Sequence, residues 1–352
     1  VARPDVLLVS LSTTLGWRVA DETLAAQLER AGVSTEIVAV GRGAADRLRR
    51  GYPVNDLVEM HAARRTVRTA AERFEPRALI VSSTTAAMAL PSLPLPYAVR
   101  FDAPARLNRP GARNALLHVL ERRAMSRALL TIPYSVAGAE ALPDGAARPI
   151  VVSPPIDAST PDPDPARERL AVAYVSDPKA KGLEIVVGAW AAAAPEGARL
   201  EVYGLDPDWA RAHLRRTGVA EPDSLELRGT VPASEFRSRL RRAHAFIHGA
   251  RWEDWGQAPL EALADGALLA TVPSGGPYEG ARLARQLDPA LVAGDINAGA
   301  LASAIGAAFE VSEDAAAAYR DRAASLLRPY RSDAVQRTVT EELVPALLAS
   351  TL

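Results

Sequence analysis

Short, largely apolar runs recur along the first half of the chain, most of them followed by a longer stretch of helical spacing. That alternation constrains the fold more than any other feature. The runs read as strands at Asp5 to Ser10, Ser34 to Val40, Ala78 to Ser82, Tyr97 to Phe101 and Leu129 to Ile132. Helices are expected between them over about Gly16–Ala31, Leu57–Phe74 and Asn108–Arg127. A strand that is apolar throughout, rather than at every second position, suits burial on both faces. Alternation with helices then implies parallel strands covered on each side. Sheets of this kind take ligands outside the carboxyl ends of their strands.

The pattern restarts after a Pro/Asp/Ser-rich stretch from Ala158 to Ala166, which reads as a linker. Strands follow at Leu170 to Val175, Leu200 to Gly204 and Leu225 to Leu227, with a helix ending at Ala194. At 352 residues the chain is long enough for two α/β domains. The division expected is 1–152, a linker at 153–168, a second domain at 169–330, and a C-terminal helix at 331–352 that packs back on the first.

Composition narrows the function classes. There is no cysteine, which removes disulfides, thiolate metal sites and a cysteine nucleophile. No apolar run reaches the roughly 18 residues of a membrane span, and the N-terminus lacks the plan of a signal peptide. A cytoplasmic protein, or one peripheral at a membrane, is the expectation. His244 and His248 are i, i+4 on a predicted strand, where they would not converge on a metal. The net charge is −1, yet residues 1–150 carry 20 arginines against 14 acids. Arginines cluster at Arg64, Arg65 and Arg68 and from Arg106 to Arg127. They read either as solvated helix faces or as a surface for an anionic acceptor or acidic membrane. Nucleic acid fits less well, since no aromatic residues interleave with them.

The stretch from His244 to Ala270 concentrates the chemistry. A strand (Ala245, Phe246, Ile247) ends in a polar turn; Trp255 and Gly256 open a helix, Asp265-Gly266 closes it, and another apolar strand follows. A helix start behind a glycine presents free N–H groups and the positive end of a dipole, which suits a phosphate. Glu253 lies in the turn and Glu261 in the helix, seven residues between them. Two carboxylates beside a phosphate make sense as acceptors for hydroxyls attached to it, as on a sugar and a ribose.

This frame resembles the donor-site signature of retaining glycosyltransferases of the GT-B fold, family four. That signature runs Ser-Arg-x-Glu-x-Phe-Gly, four further positions, then Glu-Ala-x-Ala-x-Gly. Arg251, Glu253, Gly256, Glu261, Ala262, Ala264 and Gly266 stand in register with it, Trp255 replaces Phe, and Ala250 replaces Ser. The resemblance extends to the Lys181-Gly182 loop, the Gly229-Thr230-Val231-Pro232 turn and the Gly275-Gly276-Pro277-Tyr278-Glu279 turn, and to an apolar strand at Pro149 to Ser153 before Pro154.

The resemblance implies an α/β fold of two Rossmann-like domains facing across a cleft. It implies a hexosyltransferase-like enzyme that moves a sugar from a nucleotide-diphosphate sugar to an acceptor hydroxyl with retention, without a metal or other cofactor. An epimerase or hydrolase of the same fold, or a non-catalytic nucleotide-sugar-binding protein, is the alternative. Glu253 would hold sugar hydroxyls, Glu261 the ribose, Lys181 the diphosphate, and Gly229, Thr230 and Val231 the base. Trp255 and Gly256 would complete the donor pocket. The family's usual arginine ahead of the lysine is replaced by Ser176-Asp177, so Lys179 or Arg251 would supply the second cation. Gly16, in the loop after the first strand, would face the phosphates, although one glycine there is no dinucleotide fingerprint. On the acceptor side Phe101-Asp102 stands where the family often has His-Asp, leaving Asp102 as an acceptor contact or a structural aspartate.

Overall fold

Among the described residues ten strands form two sheets, and every strand pairing is parallel. The computed structural model describes residues 3–11, 15–41, 54–90, 95–160 and 166–349. The chain divides into two compact units, Val1–Pro155 with Ser332–Leu352, and Ile156–Arg331.

The first unit runs β1 (Val6–Ser10), α1 (Leu15–Arg30), β2 (Thr35–Ala39), α2 (Val54–Phe74), β3 (Ala78–Ser82) and α3 (Thr84–Ala87). It continues with β4 (Tyr97–Phe101), α4 (Ala105–Asn108), α5 (Ala115–Arg127), β5 (Leu130–Pro133) and α6 (Val136–Glu140). The sheet order is β2-β1-β3-β4-β5. Strands β1, β3, β4 and β5 are buried at every position, which is why odd and even positions alike are apolar in them except at Ser10, Ser82, Arg100 and Thr131. Leu7, Val9, Leu79, Val81 and Val99 meet Ala62 and Val67 of α2 and Met125 of α5. Their neighbours Val6, Leu8, Ile80, Ala98 and Ile132 face the other way, onto Leu24 and Leu28 of α1.

Two expectations change. The helix expected over 108–127 is broken: α4 ends at Asn108, Arg109 leaves the helical region (φ −132°, ψ 62°), and Gly111 takes φ 97°. Pro110 is the cause, because its ring excludes the residue before it from α geometry. The strand expected at Pro149–Ser153 is an extended segment with only a bridge between Pro149 and Thr131. Its Ile150 and Val152 N–H groups still donate to Thr131 and Pro133 carbonyls at 2.9 and 3.1 Å. Proline at position 149 lacks the donor that would extend the pairing.

The second unit runs β6 (Glu168–Tyr174), α7 (Leu183–Ala193), β7 (Arg199–Tyr203), α8 (Pro207–Thr217), β8 (Leu225–Gly229) and α9 (Ala233–Arg242). Then come β9 (Ala243–His248), α10 (Gln257–Ala264), β10 (Leu268–Thr271), α11 (Glu279–Leu287), α12 (Ala298–Glu310) and α13 (Glu313–Leu326). The order β10-β9-β6-β7-β8 places β6 at the centre, where the direction of strand addition reverses. Leu183, Val186 and Trp190 of α7 and Leu301 and Ile305 of α12 cover one face. Where composition suggests a linker, Ile156 is buried and donates its N–H to the Tyr330 carbonyl at 2.7 Å. Ser159 donates its N–H to Asp265 at 2.8 Å.

Helices α14 (Ser332–Thr338) and α15 (Val344–Leu348), with a π-helical turn at Val339–Leu343 between them, belong to the first unit. Val335, Val339, Leu343 and Leu347 all face its sheet, at a spacing of four. Steps of four overshoot a 3.6-residue turn by about 40° each, and the wider π turn takes up that drift. No helix among the described residues is long and apolar enough to cross a membrane.

On the other face of β7 the interior is ionic. Glu201, fully buried, accepts hydrogen bonds from Arg239 (2.6 and 3.0 Å), Tyr203 (2.6 Å) and Arg228 (3.0 Å). Burial alone pushes its carboxyl up, but those donors outweigh it and bring the pKa down to about 2. A carboxyl depressed on folding contributes stability that is complete above its unfolded value of about 4.3 and is lost as pH falls toward 2. Glu201→Gln is therefore expected to destabilise the chain by about 3 kcal/mol at neutral pH. Thermal melts should show the gap to wild type closing between about pH 4 and 2.

Candidate functional site

Three loops at the carboxyl ends of β6, β9 and β10 are laced together by their backbones. The first, Asp177 to Gly182, turns on Asp177, whose carbonyl takes the Lys181 N–H and whose carboxylate takes the Ala180 N–H. The second, Gly249 to Gly256, reaches the first through Arg251 N–H to the Ala180 carbonyl at 3.1 Å. It reaches the third by Gly275 N–H to the Arg251 carbonyl (3.1 Å) and Glu253 N–H to the Gly275 carbonyl (3.0 Å). Ser274 Oγ adds a 2.7 Å bond to the Ala250 carbonyl.

Glycine makes the lacing sterically feasible. A Cβ on Gly182, at φ 63°, would stand 2.2 Å from the Gly249 carbonyl oxygen, and one on Gly276, at φ 91°, 2.4 Å from that of Glu253. A Cβ on Gly256, at φ 82°, would meet the Tyr278 ring at 2.6 Å. Gly182 and Gly256 are also the residues from which α7 and α10 start, and neither start has a side-chain cap. The leading N–H groups of a helix have no partner within it, so the start of α10 offers donors to an anion, whereas at α7 the Leu183 N–H already donates to the Pro178 carbonyl at 2.9 Å.

The lacing brings two of the expected residues into contact. Lys181 Nζ donates to Glu253 Oε2 at 2.7 Å, and both side chains are largely buried. The same oxygen lies 3.5 Å from Nε2 of His248, the last residue of β9. His248 is buried against the Tyr278 ring, with ring centroids 4.9 Å apart. Burial first, and the Lys181 charge second, lower its pKa to about 3, so the imidazole stays neutral at ordinary pH. Nothing in the sequence reading marks His248 as part of the site. The available signal was its position as the last strand residue before a glycine-led loop.

The remaining expected residues are distributed around this pair. Arg251 does not reach Lys181 or Glu253; it pairs with Glu184 of α7 and donates to the Lys179 carbonyl at 3.1 Å. Glu184 accepts a second hydrogen bond from His213 at 3.0 Å. Lys179 is exposed. Trp255 is buried, its ring tilted at 57° against that of Tyr330 at 5.6 Å, and donates to Gln257 at 3.1 Å. Glu261 accepts from Gln257 at 2.9 Å with Arg237 at 3.6 Å. Its pKa is raised because burial outweighs both of those contacts. Gly229 ends β8 with φ 74°, and its carbonyl accepts the Gly204 N–H; Thr230 beyond it is exposed and Val231 half-buried.

Within the first unit Gly16 lies in the first turn of α1, and Asp102 follows β4 with its carboxylate on the Ala103 N–H at 2.7 Å. An ion pair that the sequence reading missed lies beside them. Arg100, buried, binds Asp21 at 2.6 Å; Ser82 donates to the same oxygen at 2.6 Å, and the guanidinium lies 4.5 Å from the Tyr134 ring centre.

Gly182→Ala is expected to force the first two loops apart. A drop in stability of about 1–3 kcal/mol should follow, with weakened anion binding at this end of the sheet. Gly306→Ala, inside α12 with open space around the glycine, should instead stabilise by about 0.5–1 kcal/mol. Chemical denaturation of the two variants makes the comparison.

Comparison with known proteins places this arrangement. Residues 168–310 match the family described as Glycosyl transferases group 1. No curated protein matches the chain in sequence. Among solved structures it is similar to sucrose-phosphate synthase from Thermosynechococcus elongatus, at TM-score 0.72 and 14% identity over 99% of this chain and 100% of that one. It is also similar to a glycosyltransferase from Rickettsia africae, at TM-score 0.70 and 13% identity over 98% and 99%. A third is Anabaena HepE, solved with UDP and glucose, at TM-score 0.70 and 15% identity over 97% and 100%. Residues 168–310, within the second unit, are thus similar to the glycosyl transferases group 1 family, in a chain with the two-domain GT-B fold.

Proposed function

We propose that the chain is a retaining, metal-independent glycosyltransferase that takes its sugar from a nucleoside-diphosphate sugar. The observation that carries this reading is the Lys181–Glu253 pair at the carboxyl ends of β6 and β9, beside the uncapped start of α10. An open α/β sheet binds ligands where strand order reverses, and here that point lies between these two strands.

In this reading the diphosphate draws the Lys181 ammonium away from Glu253 and takes N–H donors from the start of α10. Glu253, relieved of its lysine, accepts hydroxyls of the transferred sugar, and neutral His248 leaves that carboxylate uncompensated for them. Glu261 serves the ribose and the backbone from Gly229 to Val231 the base. Asp102 contacts the acceptor. The bond from the anomeric carbon to the leaving phosphate oxygen breaks as the acceptor oxygen bonds on the same face. The acceptor proton passes to the departing phosphate. Arg251 enters as a second cation only by exchanging Glu184 for phosphate, and Lys179 is the alternative. Metal independence is supported by these cationic and N–H groups, and by Asp206 of the Asp206-Pro207-Asp208 segment, whose carboxylate caps α8. Asp162-Pro163-Asp164 lies outside the described residues.

Because UDP and UDP-glucose occur in the HepE structures, UDP-glucose is the first donor to test. Glu253→Gln should lower turnover roughly 10²-fold. UDP should bind it as tightly as wild type or more so, since the resting ion pair no longer competes for Lys181. Lys181→Ala should weaken UDP roughly 10- to 100-fold and leave uridine unchanged. UDP release without any acceptor would identify a hydrolase, and binding without release a sensor; either outcome would overturn the transferase reading.

Turnover should also survive an excess of chelator. Loss of activity restored by Mn²⁺ or Mg²⁺ would show that a metal, not Lys181 and the start of α10, neutralises the diphosphate.

A further inference from the structure

Helix α5 presents an outward face that its own fold leaves uncovered. Leu116 and Val119 are 64% and 62% exposed. They stand three residues apart, so they share a side of the helix with Arg123, four residues beyond Val119. Arg122 lies beside them, Arg113 just before the helix and Arg106 on α4, and all are exposed. From Leu95 to Pro133 the chain has two acids, Asp102 and Glu121. Glu121 is turned inward and accepts the Ala105 N–H at 2.7 Å, and Asp102 is half-buried on the Ala103 N–H. The exposed side of α5 is therefore aliphatic at its middle, cationic around it, and without acid.

We propose that this face is a docking surface for an anionic lipid bilayer. A helix lying in the interface plane buries aliphatic side chains at the acyl boundary and sets cations against lipid phosphates. Arginine stems extend the apolar strip while the guanidinium groups stay in the headgroup layer. The competing occupants fit worse. A second copy of this chain meeting the face symmetrically would set arginine against arginine. A nucleic acid would leave Leu116 and Val119 without a partner, and α5 carries no Phe, Tyr or Trp on which bases could stack, its half-buried His118 being tied to the Arg109 carbonyl at 2.9 Å. The proposal does not rest on the transferase reading.

The test is cosedimentation of the full chain with vesicles of phosphatidylcholine alone or with one third phosphatidylglycerol, at about 0.15 M and about 1 M salt. Binding should require the anionic lipid and fall at high salt. Arg122→Ser with Arg123→Ser should weaken it roughly 10-fold or more. Leu116→Ser with Val119→Ser should weaken it comparably and leave a residual binding that salt abolishes. These side chains are exposed, so melting temperatures should match wild type. Equal binding to neutral vesicles, absence of binding to anionic ones, or binding unchanged in both double variants would each overturn the proposal. So would a wild-type dimer that the Leu116/Val119 variant converts to monomer, which would make the face a self-interface.

Discussion

A Cβ on Gly182 would stand 2.2 Å from the carbonyl oxygen of Gly249, and the geometry of the candidate site follows from that approach. The two glycines lie just beyond adjacent parallel strands, β6 and β9, and nothing larger allows the loops to close on each other. Closure is then secured by main-chain bonds, among them Arg251 N–H to the Ala180 carbonyl. The separation of Lys181 from Glu253 is consequently set by backbone, not by the preferences of two flexible side chains. That is preorganisation in the sense that matters for binding a charged ligand.

The charges at the site are balanced one against one. Lys181 and Glu253 satisfy each other, and His248, which would add a second cation if protonated, is kept neutral by burial and by Lys181. Arg251 is held aside by Glu184, and Glu184 is fixed in turn by His213, which accepts a hydrogen bond from Arg216. The position of Arg251 thus depends on residues of α7 and α8, well away in sequence from the carboxylates it neighbours. A ligand bringing two negative charges would meet a resting pair to be separated and a guanidinium to be released.

The order of elements and the candidate donor residues could be read from the sequence because they depend on local patterns. Strands buried on both faces are apolar at odd and even positions alike with few exceptions, and a lysine-glycine step or two glutamates at fixed spacing are visible as such. What escaped was interior polarity. Arg100, Asp21 and Glu201 are charged residues on or against elements that pattern reading treats as apolar, and only folding shows that Glu201 is reached by Arg239 from α9. The state of His248 escaped for the same reason, since burial and a distant lysine decide it. The break at Pro110 was present in the sequence; the helical spacing on either side of it concealed the stop.

A site fastened through glycines and main-chain atoms divides its positions into two kinds under mutation. Gly182, Gly249, Gly256 and Gly276 tolerate almost nothing, because each would drive a Cβ into backbone or into a neighbouring side chain. Trp252 and Asp254 sit on the same loops, but their side chains bond to each other, at 2.8 Å, rather than across the lacing. Their side chains can drift without moving Lys181 relative to Glu253. Descendants of such a scaffold can therefore change the outline of the site one side chain at a time while the spacing of Lys181 and Glu253 is inherited intact. A single frame can in this way come to present many surfaces.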